Sequence, residues 1–180
     1  SRGPLREAIG NRSASSCSAG ATHCNRDTLA GVRMRQHCPL TCGCHLPNST
    51  LMYLQDQQGC PRACSATKVY MSIMNNTPCK DQSINTVLGF KSFQLYQQGL
   101  MDALHGWPAP IRNLGREVGE EIIRSGCAAI PVIRQAPQYM GAVDACKGGL
   151  FGFKGLQLLC PQTCQCRAGH GVCPWTCAEP

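Results

Sequence analysis

Fifteen of the 180 residues are cysteines, and their spacing repeats. Cys24, Cys38, Cys42 and Cys44 are separated by 13, three and one residues, and Cys146, Cys160, Cys164 and Cys166 reproduce those gaps. The surrounding text agrees, CPLTCGC at 38–44 against CPQTCQC at 160–166. Each copy continues into a second Cys-Pro-x-x-Cys, CPRAC at 60–64 and CPWTC at 173–177, after loops of 15 and six residues. Cys17 and Cys127 precede the two copies at different distances. Three matching gaps mark an internal duplication.

At this density cysteine points to disulfides and an oxidising compartment, because cytosolic thiols stay reduced. One unit holds Cys17, Cys24, Cys38, Cys42, Cys44, Cys60 and Cys64; the other holds Cys127, Cys146, Cys160, Cys164, Cys166, Cys173 and Cys177. All fourteen are expected in disulfides. Seven cysteines close at most three pairs within a unit, which leaves one in each plus Cys79. Two of these three can join and tie the halves together. The odd total then leaves one cysteine free, intermolecular or modified. Cys79 is the candidate for the unpaired or inter-unit position, and spacing leaves the connectivity open.

Other cysteine chemistries fit less well. His37, Cys38, Cys42, Cys44 and His45 make a dense set of zinc-type ligands, but the second copy carries Leu159 and Arg167 where the histidines stand. A redox pair is normally Cys-x-x-Cys at a helix start among alternating strands and helices. Here the gaps are three and one, which leaves a strained Cys42-Gly43-Cys44 bridge as the redox candidate. Among His23, His37, His45, His105 and His170, the pairing considered is His105 with Asp102, three residues before it on the expected helix. No nucleophile elbow and no phosphate-cradling glycine loop accompanies it. No catalytic residue, cofactor or metal is expected, and the protein is read as a non-enzyme.

These cysteines need elements to hold them. Proline has a fixed φ and no amide hydrogen, so it suits the first turn of a helix, and cysteines four apart then share one face. Gly43 or Gln165 lets the chain leave sharply, bringing Cys44 or Cys166 back. Such knots replace the hydrophobic core in modules of roughly 40 residues. Between the units, Phe90, Phe93, Tyr96, Leu100, Met101 and Leu104 recur at helical spacing over about 83–105, interrupted by Gly89 and Gly99. A second helix over 111–125 aligns Ile111, Leu114, Val118 and Ile122 and ends at Gly126. Residues 131–137 read as an extended loop between two prolines. The expected fold is small and disulfide-rich, mainly short α-helices and loops, with two cysteine-knotted units flanking a helical connector. The boundaries read as 1–74, 75–126 and 127–180.

The net charge is +7, with Arg2, Arg6, Arg12, Arg26, Arg33 and Arg35 crowded into the first 35 residues. A basic amino-terminal face suits an acidic surface. Aromatics are 6 % of the chain and no recognition motif is present, so nucleic acid is not expected. No apolar run approaches the roughly 20 residues that span a bilayer, and Ser1 is expected to follow a removed targeting segment. Asn11, Asn48 and Asn75 head glycosylation sequons, the third weakened by Pro78. Phe93, Leu100, Trp107 and Trp175 are the candidate interface residues, since large aromatics are enriched where proteins meet.

The segment ending CPLTCGC resembles the ShK-toxin-like (ShKT) module, whose tail is a Cys-x-x-Thr-Cys run closed by a last cysteine. The resemblance covers about 40 residues of each unit. It implies two short helices whose last cysteines pair back to earlier ones: Cys24 with Cys42, Cys146 with Cys164, Cys17 with Cys38, and Cys127 with Cys160. The Lys-Tyr pair of channel-blocking members has no counterpart at the matched positions. The doubled CPxTCxC arrangement is also similar to cysteine-rich proteins of unicellular algae. The expected role is a non-catalytic structural or interaction protein of an extracytoplasmic assembly. Its setting is secreted or an oxidising organelle lumen: extracellular matrix, cell surface, or the lumenal side of a photosynthetic membrane complex. Its partners are other proteins, a second copy of this chain among them. The rival classes are a stand-alone secreted binding module or inhibitor, and a thiol–disulfide redox protein.

Overall fold

The computed structural model describes residues 16–135, 144–147 and 152–177. Among these the regular elements are all helical, six α-helices and four short 3₁₀ turns with no strand. In chain order the α-helices are α1 (Leu29–His37), α2 (Pro39–Cys42), α3 (Lys68–Asn76), α4 (Val87–Leu104), α5 (Ala109–Ser125) and α6 (Ala129–Gln135). The protein is a small, disulfide-rich, mainly helical fold.

Local sequence sets the helix starts. Thr28, Thr67 and Thr86 each sit in extended backbone before α1, α3 and α4, and each hydroxyl accepts a bond from the amide three residues on. That satisfies one of the donors a helix start leaves open. Pro39 opens α2 and Pro108 precedes α5, where a missing amide costs nothing. Residues 131–137 were expected as extended loop, but α6 continues through Pro131 to Gln135, and 136 and 137 lie outside the described residues. Pro131 is the third residue of α6, within the first turn, where proline breaks no internal bond.

Two cores form. The smaller belongs to the amino-terminal unit and is largely sulfur, with Cys24, Cys38, Cys42, Cys44, Cys60 and Cys64 around Met34 and Leu51. The larger joins α4, α5 and α6 to Phe153, Leu156 and Leu159 of the second unit, and takes in Met52 and Tyr53 of the first. α4 approaches the first unit closely at Gly99, where an added Cβ would lie 2.0 Å from the Thr50 carbonyl oxygen. The glycine that interrupts the stripe therefore marks the contact.

Hydrogen bonds clasp α3 and the connector to the second unit. The Trp175 amide donates to the Met74 carbonyl at 3.0 Å, and the Gln82 amide donates to the Leu159 carbonyl at 2.8 Å. The Thr176 hydroxyl donates to the Thr77 carbonyl at 2.6 Å. The Asp81 carboxylate accepts from the Gln162 amide at 2.8 Å and from the Thr163 hydroxyl at 2.6 Å, capping the CPQTC turn of the second unit from outside.

Candidate functional site

The two cysteine turns close alike. Cys42 donates its amide to the Cys38 carbonyl at 3.0 Å and Cys44 to that of Pro39 at 2.9 Å. In the second copy Cys164 donates to Cys160 at 2.9 Å and Cys166 to Pro161 at 2.8 Å. The residues between follow the same left-handed path, φ +80° at Gly43 and +52° at Gln165. Glycine takes that conformation freely, whereas glutamine takes it at a steric cost that the flanking disulfides hold in place.

Seven disulfides form. Cys17–Cys38, Cys24–Cys42 and Cys44–Cys60 close the first unit. Cys127–Cys160, Cys146–Cys164 and Cys166–Cys173 close the second. Cys79–Cys177 ties the connector to the second unit. The first two pairs of each unit are those the ShKT resemblance implies. One expectation changes. Cys64 was expected in a disulfide and is the free cysteine, because Cys79 takes its counterpart Cys177 and the first unit has no equivalent of Cys79. Cys42 and Cys44 do not bridge each other, since each is bonded elsewhere. Cys38, Cys42 and Cys44 are all in disulfides and therefore hold no thiolate for the zinc arrangement considered with His37 and His45.

The units face each other across a groove of about 610 Å³. That is within the range of ligand sites, 300–1,000 Å³. One wall is the Cys44–Cys60 disulfide and the 3₁₀ turn Arg62–Ala66, which carries Cys64; the other is Lys147, residues 152–155 and residues 170–172. Gln58 bridges the walls by donating its side-chain amide to the Gly152 carbonyl at 2.7 Å. Phe153 lies at the base, packed edge-on against Tyr53 with ring centroids 5.2 Å apart. At the rim the Arg62 guanidinium donates to Asp56 at 2.6 Å, and that bond holds the carboxyl below its ordinary pKa. Cys64 is 7 % exposed, and burial pushes its thiol above the ordinary value.

Two cations are buried near the site, and neither stands out in the sequence. Arg35 belongs to the basic amino-terminal cluster but turns inward, donating to the carbonyls of Gln58 at 2.6 Å, Cys24 at 2.6 Å and Arg26 at 3.1 Å. Its guanidinium also lies 4.5 Å from the centre of the Tyr53 ring. Burial lowers its pKa to about 10, so it stays charged at neutral pH. Lys154 donates its ammonium to the Ser49 carbonyl, its amide to Met52 at 2.7 Å, and accepts the Tyr96 hydroxyl at 3.0 Å on its carbonyl. Burial lowers its pKa to about 7.

The remaining candidates are scattered. Phe93, 0 % exposed, and Leu100, two of the candidate interface residues, are core, because α5, the second unit and Met52 cover that face of α4. Trp107 packs half-buried against the same core, and Trp175 is 39 % exposed. The large apolar side chains that do reach solvent on α4 are Val87 at 85 %, Leu88 at 79 % and Phe90 at 40 %, in its first turn. Asn48 and Asn75 are exposed, Asn11 lies outside the described residues, and Asp102 and His105 are both exposed. Of the amino-terminal arginines, Arg26 and Arg33 are half-buried, and Arg2, Arg6 and Arg12 lie outside the described residues. Seven disulfides suit an oxidising environment. No helix among the described residues is long and apolar enough to cross a membrane. No family model matches the chain, and searches of curated proteins and of solved structures return no match.

Proposed function

We propose that the protein is a non-catalytic structural or interaction protein of an extracytoplasmic assembly. The observation that carries this reading is the groove between the units, locked on one side by Cys44–Cys60 and bridged by Gln58. A surface fixed by covalent links has little conformational entropy left to lose on binding, so its contact energy goes into affinity. The setting is the extracellular matrix or a cell surface, with the lumenal side of a photosynthetic membrane complex as the other oxidising location. The repeated turns and their pairing support an ShKT-like ancestry for both units. The test is native mass measurement on protein purified gently from its source, followed by chemical cross-linking. A mass above that of one chain, with a constant co-purifying species or a second copy, is expected. A lone monomer at every concentration would favour a stand-alone binding module.

A redox reading has one observation behind it, a free thiol and a disulfide in the walls of one groove. Catalytic thiols are activated by a lowered pKa, whereas burial raises that of Cys64. The groove is better suited to holding than to turning over.

A further inference from the structure

The duplication provides its own comparison for Cys64. Aligning CPRAC with CPWTC matches Arg62 to Trp175, Ala63 to Thr176 and Cys64 to Cys177. In the second unit this turn receives another stretch of polypeptide. The Trp175 amide bonds Met74, the Thr176 hydroxyl bonds Thr77, and Cys177 is joined to Cys79. In the first unit Arg62 and Ala63 are exposed, and Cys64 stands without a disulfide on the wall of the groove. The same position that is covalently engaged in one copy is free in the other and opens onto a cavity of ligand size.

The charge of that cavity selects what enters it. Arg62 and Lys147 bring positive charge to its rim beside His170, against a single carboxylate, Asp56, which Arg62 engages; the Lys154 backbone lines the groove while its ammonium turns to the Ser49 carbonyl. Lys147 is exposed and has no ion-pair partner among the described residues. We infer that the groove receives an acidic, cysteine-bearing segment of a partner protein and that Cys64 joins it by a disulfide. The inference rests on the assembly reading above and names the chemistry of the partner. A polypeptide is chosen over a small thiol because the matching position in the second unit holds a polypeptide, through main-chain bonds as well as sulfur.

The bond forms by exchange and needs no separate oxidant. The Cys64 thiol gives its proton to solvent, and the thiolate attacks one sulfur of a disulfide on the partner. The new sulfur–sulfur bond forms as the old one breaks, and the departing sulfur leaves as a thiolate that takes a proton from water. One thiol is consumed and one is released. A buried thiol of raised pKa attacks slowly and is also a poor leaving group, which suits a lasting link over a transient one.

Two measurements test this on the full chain with its seven disulfides verified by intact mass. Two hexapeptides with a central cysteine, one flanked by glutamates and one by lysines, are offered as symmetric disulfides. Adduct formation at Cys64 should be roughly tenfold faster or more with the acidic peptide. Arg62→Glu with Lys147→Glu, both at exposed positions, should abolish or reverse that preference. Equal rates, or a preference unmoved by the charge reversal, would overturn the charge argument. In the second measurement, protein from its source is trapped with acid and maleimide before extraction, and its Cys64 peptide is mapped without reduction. A bond to a peptide of another protein, with carboxylates near its cysteine, is expected. A maleimide-labelled Cys64, or one carrying only a small thiol, would overturn the proposal. Cys64→Ser separates this failure from that of the assembly reading: a variant that still associates leaves the assembly standing without the covalent link, whereas wild-type protein that never associates removes both.

Discussion

Lys154 holds a charge that its surroundings penalise. Burial lowers its pKa from 10.5 to about 7, so between those values the unfolded chain carries a proton that the folded chain has released. Stability should therefore rise as pH climbs from about 7 towards 10, with a slope approaching about 1.4 kcal/mol per pH unit. Below pH 7 both states are protonated and the slope should vanish. Denaturant melts between pH 6 and 9.5 on a Cys64→Ser background, which prevents thiol exchange, would show this, and Lys154→Met should flatten the curve. A curve unaffected by that substitution would place the penalty elsewhere. Neither Lys154 nor Arg35 is legible as a buried residue in the sequence. What makes Arg35 tolerable inside are carbonyls of Cys24, Arg26 and Gln58, 11, 9 and 23 residues away, brought together by disulfides and turns. A basic residue among other basic residues gives no local sign of such a setting.

At the scale of elements, legibility follows from periodicity. The spacing of Phe93, Tyr96, Leu100 and Leu104 announces α4, and Ile111, Leu114, Val118 and Ile122 announce α5, because a buried stripe must recur every three or four residues. What periodicity does not reveal is what covers the stripe, so Phe93 and Leu100 read equally well as interface or core. The glycines were the missing clue. Gly99 looks like a weakness in a helix and is the point where the Thr50 carbonyl packs against α4. Gly99→Ala should cost about 1–3 kcal/mol, as overpacking does, because the obstructing atom is main chain and cannot swing away. Gly106→Ala is the control, since nothing lies within 4 Å of a Cβ there. Equal effects in chemical denaturation would mean that the close approach does not constrain the helix. α6 is hidden for the opposite reason: the stretch from Pro131 to Pro137 reads as extended loop, whereas the first of these prolines sits where a helix tolerates one.

For the whole molecule, the repeat gaps make the knotted units legible, and counting cysteines limits the leftovers to one in each unit plus Cys79. The identity of the free thiol is not, because it depends on which turn the connector reaches. Thiol labelling of the recombinant protein, denatured without reductant, should modify one cysteine per chain, on the peptide containing Cys64. Labelling of Cys79 or Cys177 instead would redraw the pairing.

The Cys79–Cys177 link also sets an order of events during synthesis. Its partners are 98 residues apart, so when the chain is threaded amino end first into an oxidising compartment, Cys79 arrives long before Cys177. In that interval Cys64 and Cys79 are both present, with only a short loop to close between them, and a short loop is the cheaper one to close. The first unit needs nothing downstream for its own three disulfides, and completing them fixes Cys64 in the wall of the groove. Early closure of that unit thus keeps Cys79 available for a partner still to be delivered, and the direction of synthesis becomes part of what specifies the native pairing.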